Sequence, residues 1–288
     1  MTTKPVSAIL NPPAPHMVGD GFRVHNLFPS GYKLDMSPFF LLDYNAKIEF
    51  SARNEPRGVG VHPHRGFETV TIAYHGAVAH HDSAGNSGVI YPGDVQWMTA
   101  ARGILHKEYH EEVFSKQGGT FQMVQLWVNL PAKYKMSAPK YQSLKHKEIA
   151  KVVLPEHAGS LEVIAGNFDG TPGSASTFTP IEMYNARLDS GGKTIFNFPA
   201  HYHTAFIIIE GEIKVNDTSI GKKDQMVHFK NEGETIEIEA LENSIVLMLS
   251  GEPIDEPISQ FGPFLMNTQE EIDQAIADYN EGRFGYLD

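Results

Sequence analysis

Residues 61–76 read VHPHRGFETVTIAYHG, and residues 93–108 read GDVQWMTAARGILHKE. These segments contain two short polar pairs, His-x-His in the first and His-x-Glu in the second. Because alternate side chains of a β-strand project to one face, each pair can direct both of its members to the same place. Three imidazoles and a carboxylate around one point are typical of a metal site. The pattern therefore predicts a metal centre formed by His62, His64, His106 and Glu108.

Histidines are concentrated in this region. Half of the 14 histidines of the chain lie between positions 62 and 110. A single His-x-His pair is weak support for a metal site, because roughly 0.7 such pairs are expected by chance in a chain of this composition. The first pair is stronger, since Gly103-x-x-His106-x-Glu108 follows at a spacing that lets two barrel strands meet. We expect the remaining histidines of the region at the surface or rim: His75, His80, His81 and His110.

Glu68 is a candidate for a supporting role. It lies four residues after His64, and in an unbroken strand the two would share a face. Gly66 could interrupt the strand as a bulge and change that parity. The expected role is a hydrogen bond to a ligand imidazole, which fixes the tautomer of the ring. The alternative is a salt bridge with Arg65 or Arg102.

Elsewhere the pattern indicates an all-β protein. Short apolar runs such as VQWMT (95–99) and FQMVQLWVNLP (121–131) recur at intervals of roughly 8 to 12 residues, separated by glycine and proline. One convincing helix is NTQEEIDQAIADYNEG (267–282), in which Thr268 and Glu271 form a capping box before an apolar stripe. We expect that stripe to pack onto a barrel.

The second half of the chain repeats the first. HYHTAFIIIEGEIKVN (201–216) has a His-x-His pair, His201 and His203, before an apolar strand, at an offset of 139 residues (201 minus 62). With equal loop lengths, the counterparts of His106 and Glu108 are Ile245 and Leu247. The second copy is therefore expected to keep the barrel and to lose half of the site, which makes His201 and His203 weak candidates for a second one.

The repeat and its spacing predict three regions. Residues 1–135 form an N-terminal metal-binding barrel, residues 136–160 a linker, and residues 161–288 a C-terminal barrel with a degenerate site and the final helix. The lysine-rich stretch from Lys133 to Lys151 is expected to be a solvated linker face.

The amino-acid composition limits which metal ligands and which classes of binding partner are possible. The 288 residues include no cysteine, which excludes disulfides and thiolate ligands, so a metal must be bound by nitrogen and oxygen. A net charge of -12 argues against direct binding of nucleic acid. The chain has no apolar run long enough for a membrane span, and its first residues lack the apolar core of a signal peptide. We expect a cytoplasmic protein with no membrane contact.

These segments together resemble the pirin family of the cupin superfamily. The similarity rests on HPHRGFETV, PGDVQWMTAARGILHKE, QLWVNLP and GPFLMNTQEEIDQA, with SPFFLLDY before the first barrel. It implies a bicupin, with two jelly-roll barrels in one chain and a single metal in the first. In pirins the metal is usually iron, held by residues that match His62, His64, His106 and Glu108 here. A carboxylate after the second-motif histidine, as in Glu108, is the pirin variant of the cupin pattern.

The resemblance implies two kinds of function. Some pirins resemble quercetin dioxygenases, which open a flavonol ring with O2 and release carbon monoxide, whereas others, chiefly eukaryotic, act as iron-dependent co-regulators of transcription factors. We expect a dioxygenase of quercetinase type, with a flavonol-like substrate and Glu108 as a permanent ligand or as the base. The alternatives are an iron-binding, redox-sensing regulatory module that acts through a protein partner, and a metal that only stabilises the barrel.

One divalent metal per chain is the expected cofactor. Iron(II) is favoured by the resemblance, and the same ligand types also accept copper, nickel, cobalt, manganese or zinc.

Overall fold

The computed structural model describes residues 2–29 and 34–288. Residues 1 and 30–33, which fall within the predicted N-terminal domain, lie outside the described residues. The strands and helices, in chain order, are β1 Val6–Leu10, β2 His16–Val18, β3 Phe22–Phe28, β4 Phe39–Phe50, β5 Gly58–His64, β6 Phe67–His75, β7 Val78–Asp82, β8 Ser87–Ile90, β9 Val95–Thr99, β10 Ile104–His110, α1 Glu112–Gln117, β11 Gly119–Asn129, α2 Ala132–Lys135, β12 Lys140–Leu144, β13 Ala150–Val153, a 3-10 turn Pro155–His157, β14 Gly159–Ala165, β15 Asn167–Phe168, β16 Thr171–Pro172, β17 Ile181–Leu188, β18 Lys193–Asn197, β19 His203–Glu210, β20 Glu212–Val215, β21 Ser219–Lys222, β22 Met226–Phe229, β23 Thr235–Ala240, β24 Ser244–Gly251, β25 Ser259–Phe261, β26 Phe264–Met266 and α3 Gln269–Asn280.

The chain forms two compact units. The unit that we call the N-terminal barrel comprises Ala14–Lys33, Phe39–His146 and Ile254–Asp288, and the C-terminal barrel comprises Met1–Pro13, Leu34–Pro38 and Lys147–Pro253. Each unit contains one sheet of seven strands and one of four. The predicted all-β fold, with two barrels in one chain and a short C-terminal helix, is confirmed.

The units differ from the predicted division into residues 1–135, 136–160 and 161–288. The start of the chain joins the C-terminal barrel, because β1 pairs with β22. The predicted linker holds two strands, of which β12 pairs with β9 and β13 with β14. The tail from residue 254 onwards belongs to the N-terminal barrel. These exchanges depend on pairing between distant segments, which local composition does not reveal.

Strand order shows that the two barrels are copies of one plan. In the N-terminal barrel the sheets run β12-β9-β6-β11-β4-β3-β2 and β5-β10-β7-β8. In the C-terminal barrel they run β1-β22-β19-β24-β17-β14-β13 and β18-β23-β20-β21. Comparing the two orders makes β23 the counterpart of β10 and β24 the counterpart of β11.

Register then corrects the predicted counterparts of the metal ligands. His106 pairs with His62, and the equivalent pair is Ile236 with Phe196, because His110 faces Val78 two residues after Gly76 as Ala240 faces Ile213 two residues after Gly211. Glu108 corresponds in the same way to Ile238. The predicted counterparts in the stretch 245–247, Ile245 and Leu247, were wrong because they lie in β24, and the loops of the two halves differ in length. The C-terminal barrel fills this part of its interior with a large apolar core that includes Phe196, Ile238 and Ala240.

A sharp corner separates β5 from β6. Gly66 has a φ of +91°, and a Cβ atom there would lie 2.0 Å from the carbonyl oxygen of Leu265, so only glycine fits without strain. β5 and β6 consequently enter different sheets. Of the two possibilities left open, an unbroken strand and an interruption at Gly66, the structure shows the interruption, and the shared parity of His64 and Glu68 does not apply.

Helix α3 packs on the N-terminal barrel. Thr268 and Glu271 form the predicted capping box. Ile272 and Ala275 are buried in a cluster with neighbouring apolar side chains from β26 and the tail, against which Leu105 of β10 also packs. A buried ion pair of 2.7 Å joins Asp278 to Arg65 at the corner after β5. The expected packing of the helical stripe onto a barrel is confirmed.

None of the helices in the part of the chain that the structure describes is both long and apolar enough to cross a membrane.

Candidate metal centre

Strands β5 and β10 bring three of the predicted ligands together. Backbone pairing sets His62 directly opposite His106. The ring centroids are 4.2 Å apart for His62 and His106, 4.7 Å for His64 and His106, and 4.9 Å for His62 and His64. One ring nitrogen of each imidazole lies within 4.8 Å of those of the other two. Three imidazoles therefore surround one point.

Backbone carbonyls fix the tautomers of two of these rings. Nδ1 of His62 lies 2.8 Å from the carbonyl oxygen of Gly60, and Nδ1 of His64 lies 3.3 Å from that of Pro263. A carbonyl oxygen only accepts, so each Nδ1 carries the proton and each Nε2 keeps a lone pair. The same support is common around histidines that bind metals.

His106 is the least satisfied of the three. It is fully buried, and neither ring nitrogen has a hydrogen-bond partner among the described residues, which is unfavourable for a buried polar group. Burial and the neighbouring His64 and His62 lower the pKa of His106 well below its usual range. Burial, with a contribution from His62, lowers the pKa of His64 in the same way. Neutral imidazoles with free lone pairs are what a divalent metal requires, so these residues fit such an ion.

Glu108 stands beside the three-imidazole group. Its carboxylate forms a second close group with His106 and His80, again within 4.8 Å. Nε2 of Gln125 donates to Oε2 of Glu108 over 3.2 Å, and Oγ1 of Thr71 lies 3.3 Å from Oε1. Glu108 is therefore next to His106 on the same side of the sheet, with its oxygens held towards β11 and β6.

His80 was missed by the sequence reasoning. It was expected at the surface or rim but is fully buried, directly opposite Glu108 in the pairing of β7 with β10. Its Nδ1 accepts from Gln96 over 3.2 Å, and its Nε2 lies 3.4 Å from Asp82 Oδ2. The alternation of His80 and Asp82 in β7, VAHHD, was the signal, since it places both on one face.

His110 also contradicts the expected surface position. It is fully buried, Nε2 donates to the carbonyl oxygen of Gly21 over 2.8 Å, and its ring centroid lies 4.6 Å from that of Phe50 and 4.7 Å from that of Phe121. It is part of the barrel core. His75 and His81 are partly buried.

Glu68 has different partners from those expected. It accepts a 2.6 Å hydrogen bond from Thr99 on β9, and its hydrogen-bond donors among the described residues include no imidazole. Arg65 pairs with Asp278 instead. Burial raises the pKa of Glu68 to about 7, against the opposing effect of the Thr99 hydrogen bond.

Lys135 departs from the expected solvated face of the lysine-rich stretch. It is buried, and its Nζ donates to the carbonyl oxygens of Gly66 and Leu265 and to Oδ1 of Asn129 at 2.6 to 2.9 Å. These bonds join the corner after β5 to the tail strand β26. Lys135 thereby supports the segment that carries His64.

A cavity of about 350 Å³ opens beside the ligands, within the range of small-molecule sites. Most of its wall is apolar. The lining residues are Val18, Phe22, Val24, Asp43, Val59, His62, His64, Glu108, Met123, Gln125, Trp127, Gly262 and Pro263.

The weak second-site candidates are not brought into a comparable group. His201 is exposed, with its ring 3.8 Å from Glu252, and His203 is buried with its ring 3.7 Å from Asp35. Among the described residues, neither belongs to a cluster of three close metal-binding side chains. His201 lies in the connection before β19 and His203 is the first residue of β19, whereas His62 and His64 both lie in β5.

The chain matches the sequence family described as Pirin over residues 21–128 and the one described as Pirin C-terminal cupin domain over residues 183–285. A Pseudomonas aeruginosa protein named "Putative quercetin 2,3-dioxygenase" is 48% identical over 270 residues, covering 93% of this chain and 94% of that protein. "Pirin-like protein 2" of Arabidopsis thaliana is 37% identical over 276 residues, covering 93% and 82%. A crystal structure of quercetin 2,3-dioxygenase from Acinetobacter baumannii superposes with a TM-score of 0.93 at 45% identity, covering 99% of this chain and 100% of that chain.

Proposed function

Because the chain belongs to the pirin family of bicupin proteins, we propose that it is a metal-dependent dioxygenase that opens a flavonol or a similar enolic ring with O2. The observation that carries the proposal is the unsatisfied, buried imidazole of His106, grouped with two others at the wall of a mostly apolar cavity. The names of the Pseudomonas and Acinetobacter relatives support the same chemistry.

The metal would be held by His62, His64 and His106, with Glu108 as a fourth ligand. Iron(II) is the expected ion, and copper, nickel, cobalt, manganese or zinc suit the same nitrogen and oxygen donors. When bound, the metal supplies Lewis acidity towards an enolic oxygen and electron transfer towards O2.

Glu108 has two roles open to it. As a ligand it would complete the set of donors. As a base it would accept the proton of the enolic hydroxyl, which requires the carboxylate to be close to that hydroxyl and ionised. Gln125 donates a hydrogen bond to Glu108 Oε2 over 3.2 Å and so orients the carboxylate.

The cavity suits a flat aromatic substrate. Trp127, Phe22 and Met123 provide apolar wall, and aromatic rings pack on such side chains without losing hydrogen bonds. The same wall excludes water from the reacting groups, which strengthens the electrostatic effect of Glu108 on a bound hydroxyl.

Metal analysis followed by an oxygen-dependent assay tests the proposal. We expect no ring opening when the iron-loaded protein is incubated with quercetin in the absence of air. Admission of air should then bleach the flavonol absorbance and release carbon monoxide. His201→Ala is a matched control, because it removes an exposed histidine outside the group. Absence of turnover with each of iron, copper, nickel, cobalt and manganese would overturn the proposal.

A further inference from the structure

The cavity wall carries an ionisable side chain outside the proposed ligand set. Among the described lining residues, the titratable ones are His62, His64, Glu108 and Asp43. The first three belong to the proposed metal centre. Asp43 lies on β4 in the opposite sheet and has no role in the proposed ring opening.

Asp43 belongs to a polar row that crosses the seven-stranded sheet. Register sets Asn26 opposite Asp43, Asp43 opposite Gln125, and Gln125 opposite Thr71, on strands β3, β4, β11 and β6. Directly paired residues of antiparallel strands project to the same face. The row therefore lies on the inner face of the barrel, where Asp43 and Gln125 both line the cavity.

The row is hydrogen-bonded everywhere except at one step. Asn26 Nδ2 donates to Asp43 Oδ1 over 2.7 Å, and Thr71 Oγ1 donates to Gln125 Oε1 over 2.6 Å. Gln125 uses its Nε2 on Glu108. Between Asp43 and Gln125 there is no hydrogen bond, and Asn26 is the one donor to Asp43 among the described residues. One carboxylate oxygen of Asp43 is thus left without a partner.

The step without a hydrogen bond, between Asp43 and Gln125, lies where the far end of a ligand held at the metal centre would be. Gln125 touches Glu108, and Asp43 lies one strand further, which adds about 5 Å across the sheet. The walls beside it are apolar, including Val24 and Met123. Burial raises the pKa of Asp43, although the Asn26 hydrogen bond opposes this, so a donor from a ligand would relieve an unfavourable environment.

We propose that Asp43 accepts a hydrogen bond from a phenolic hydroxyl of the substrate, remote from the enolic group, and so makes the site selective for polyhydroxylated aromatic substrates over unsubstituted ones. This inference rests on the proposed function, because it assumes that the enolic end of the ligand lies at the metal centre. Asp43 is a specificity residue here and takes no part in the ring opening.

Asp43→Asn is the decisive variant because it keeps the size of the side chain and replaces only the carboxylate by an amide. Asn26 donates to the oxygen at this position, so the new amide would turn its oxygen to Asn26 and its NH2 to the cavity, replacing the free acceptor by a donor. We expect the Kd of quercetin for the iron-loaded protein, measured anaerobically by quenching of tryptophan fluorescence, to rise roughly ten- to hundredfold, the range for loss of a hydrogen bond to a charged group. The Kd of 3-hydroxyflavone, which has the enolic group and no other hydroxyl, should change less than about twofold.

Two controls separate the possible outcomes. Glu49→Gln removes an exposed carboxylate from the same strand and should leave both Kd values unchanged, and metal content should match wild type in both variants. Equal changes for the two flavonols, or no change for either, would overturn the role of Asp43 while leaving the dioxygenase proposal intact. If wild type binds neither flavonol, the dioxygenase proposal fails, and the role of Asp43 falls with it.

Discussion

In the absence of metal, the unfavourable free energy of burying unsatisfied polar atoms at the proposed metal centre falls mainly on His106. Both of its ring nitrogens are buried without partners, a loss that a bound metal would offset and that folding alone does not. His62 differs, since its Nδ1 is hydrogen-bonded and its ring is only partly buried. The two positions should therefore respond differently when metal is absent.

We expect His106→Leu to raise the stability of the metal-free protein by about 1 to 3 kcal/mol, because it replaces an unsatisfied polar group by an apolar one. With metal present, the same variant should lose binding by more than the roughly 10- to 100-fold typical of residues that only support ligands. Urea unfolding with and without chelator, and metal titration, measure the two effects. His62→Leu serves as the comparison and should not stabilise the metal-free form; equal gains for both variants would contradict this account.

Glu68 should make stability depend on pH. Its pKa is raised from 4.5 to about 7 in the folded protein, so between these values the folded state binds more protons than the unfolded state. The contribution of Glu68 to the free energy of unfolding is then highest below pH 4.5. It falls by about 3 kcal/mol in total as the pH rises through 7. Glu68→Gln should flatten that decline in urea unfolding measured from pH 5 to pH 8. An unchanged pH profile in the variant would show that another group is responsible.

At the scale of elements, the corner after β5 ties the ligand strand to the tail. Arg65 follows His64 directly, pairs with Asp278 of α3, and donates to the carbonyl oxygen of Arg102 over 2.6 Å. Its guanidinium also lies 4.7 Å from the ring of Phe284. Helix α3 is therefore fixed to the end of the strand that carries two of the proposed ligands.

Arg65→Met should lower the stability of the N-terminal barrel by about 3 kcal/mol, since it removes the buried partner of Asp278 and leaves that carboxylate to the more exposed Arg283. Arg283→Met is the matched control. Arg283 also pairs with Asp278 but is more than half exposed, so its loss should cost less than about 1 kcal/mol. Chemical unfolding followed by the far-ultraviolet signal checks both values, and similar losses for the two variants would refute the importance of burial.

Sequence patterns predicted elements whose identity depends on local periodicity. β9 was predicted as VQWMT and has those bounds, and the capping box at Thr268 was predicted from two residues alone. The grouping of His62, His64 and His106 followed from strand parity, and metal binding there stays a prediction. Gly66 was named only as a possible interruption, and the partners of Asp43 and His80 could not be assigned, because these contacts come from register between strands that are far apart in sequence.

At the scale of the whole molecule, the two barrels have different interiors. The N-terminal barrel holds titratable groups around a cavity, and the C-terminal barrel holds Ile236 and Ile238 at the positions of β23 that correspond to His106 and Glu108. This asymmetry was predicted in kind, although the residues first assigned to it were wrong. The repeat itself is visible in the sequence. The loops of its two copies differ in length, however, so the sequence alone does not show which residues correspond.

Metal should therefore stabilise one barrel and leave the other unaffected. At a free metal concentration of 100 times Kd, we expect the unfolding transition of the N-terminal barrel to gain about 2.7 kcal/mol. Calorimetry with and without chelator should show one transition that moves and one that does not. A variant lacking His106 should show no shift in either, and an equal shift in both transitions would indicate that the metal does not act at this site.

The tail also sets the order in which the metal centre is completed during synthesis. Nδ1 of His64 donates to the carbonyl oxygen of Pro263, and Lys135 joins the corner at Gly66 to Leu265. The ribosome makes the four proposed ligands early, and Pro263 is added 155 residues after Glu108 (263 minus 108). At the usual speed of translation that interval is roughly 8 to 30 seconds. A growing chain thus displays its histidines well before the carbonyl group that orients His64 exists, and we expect selective metal uptake only by the finished protein.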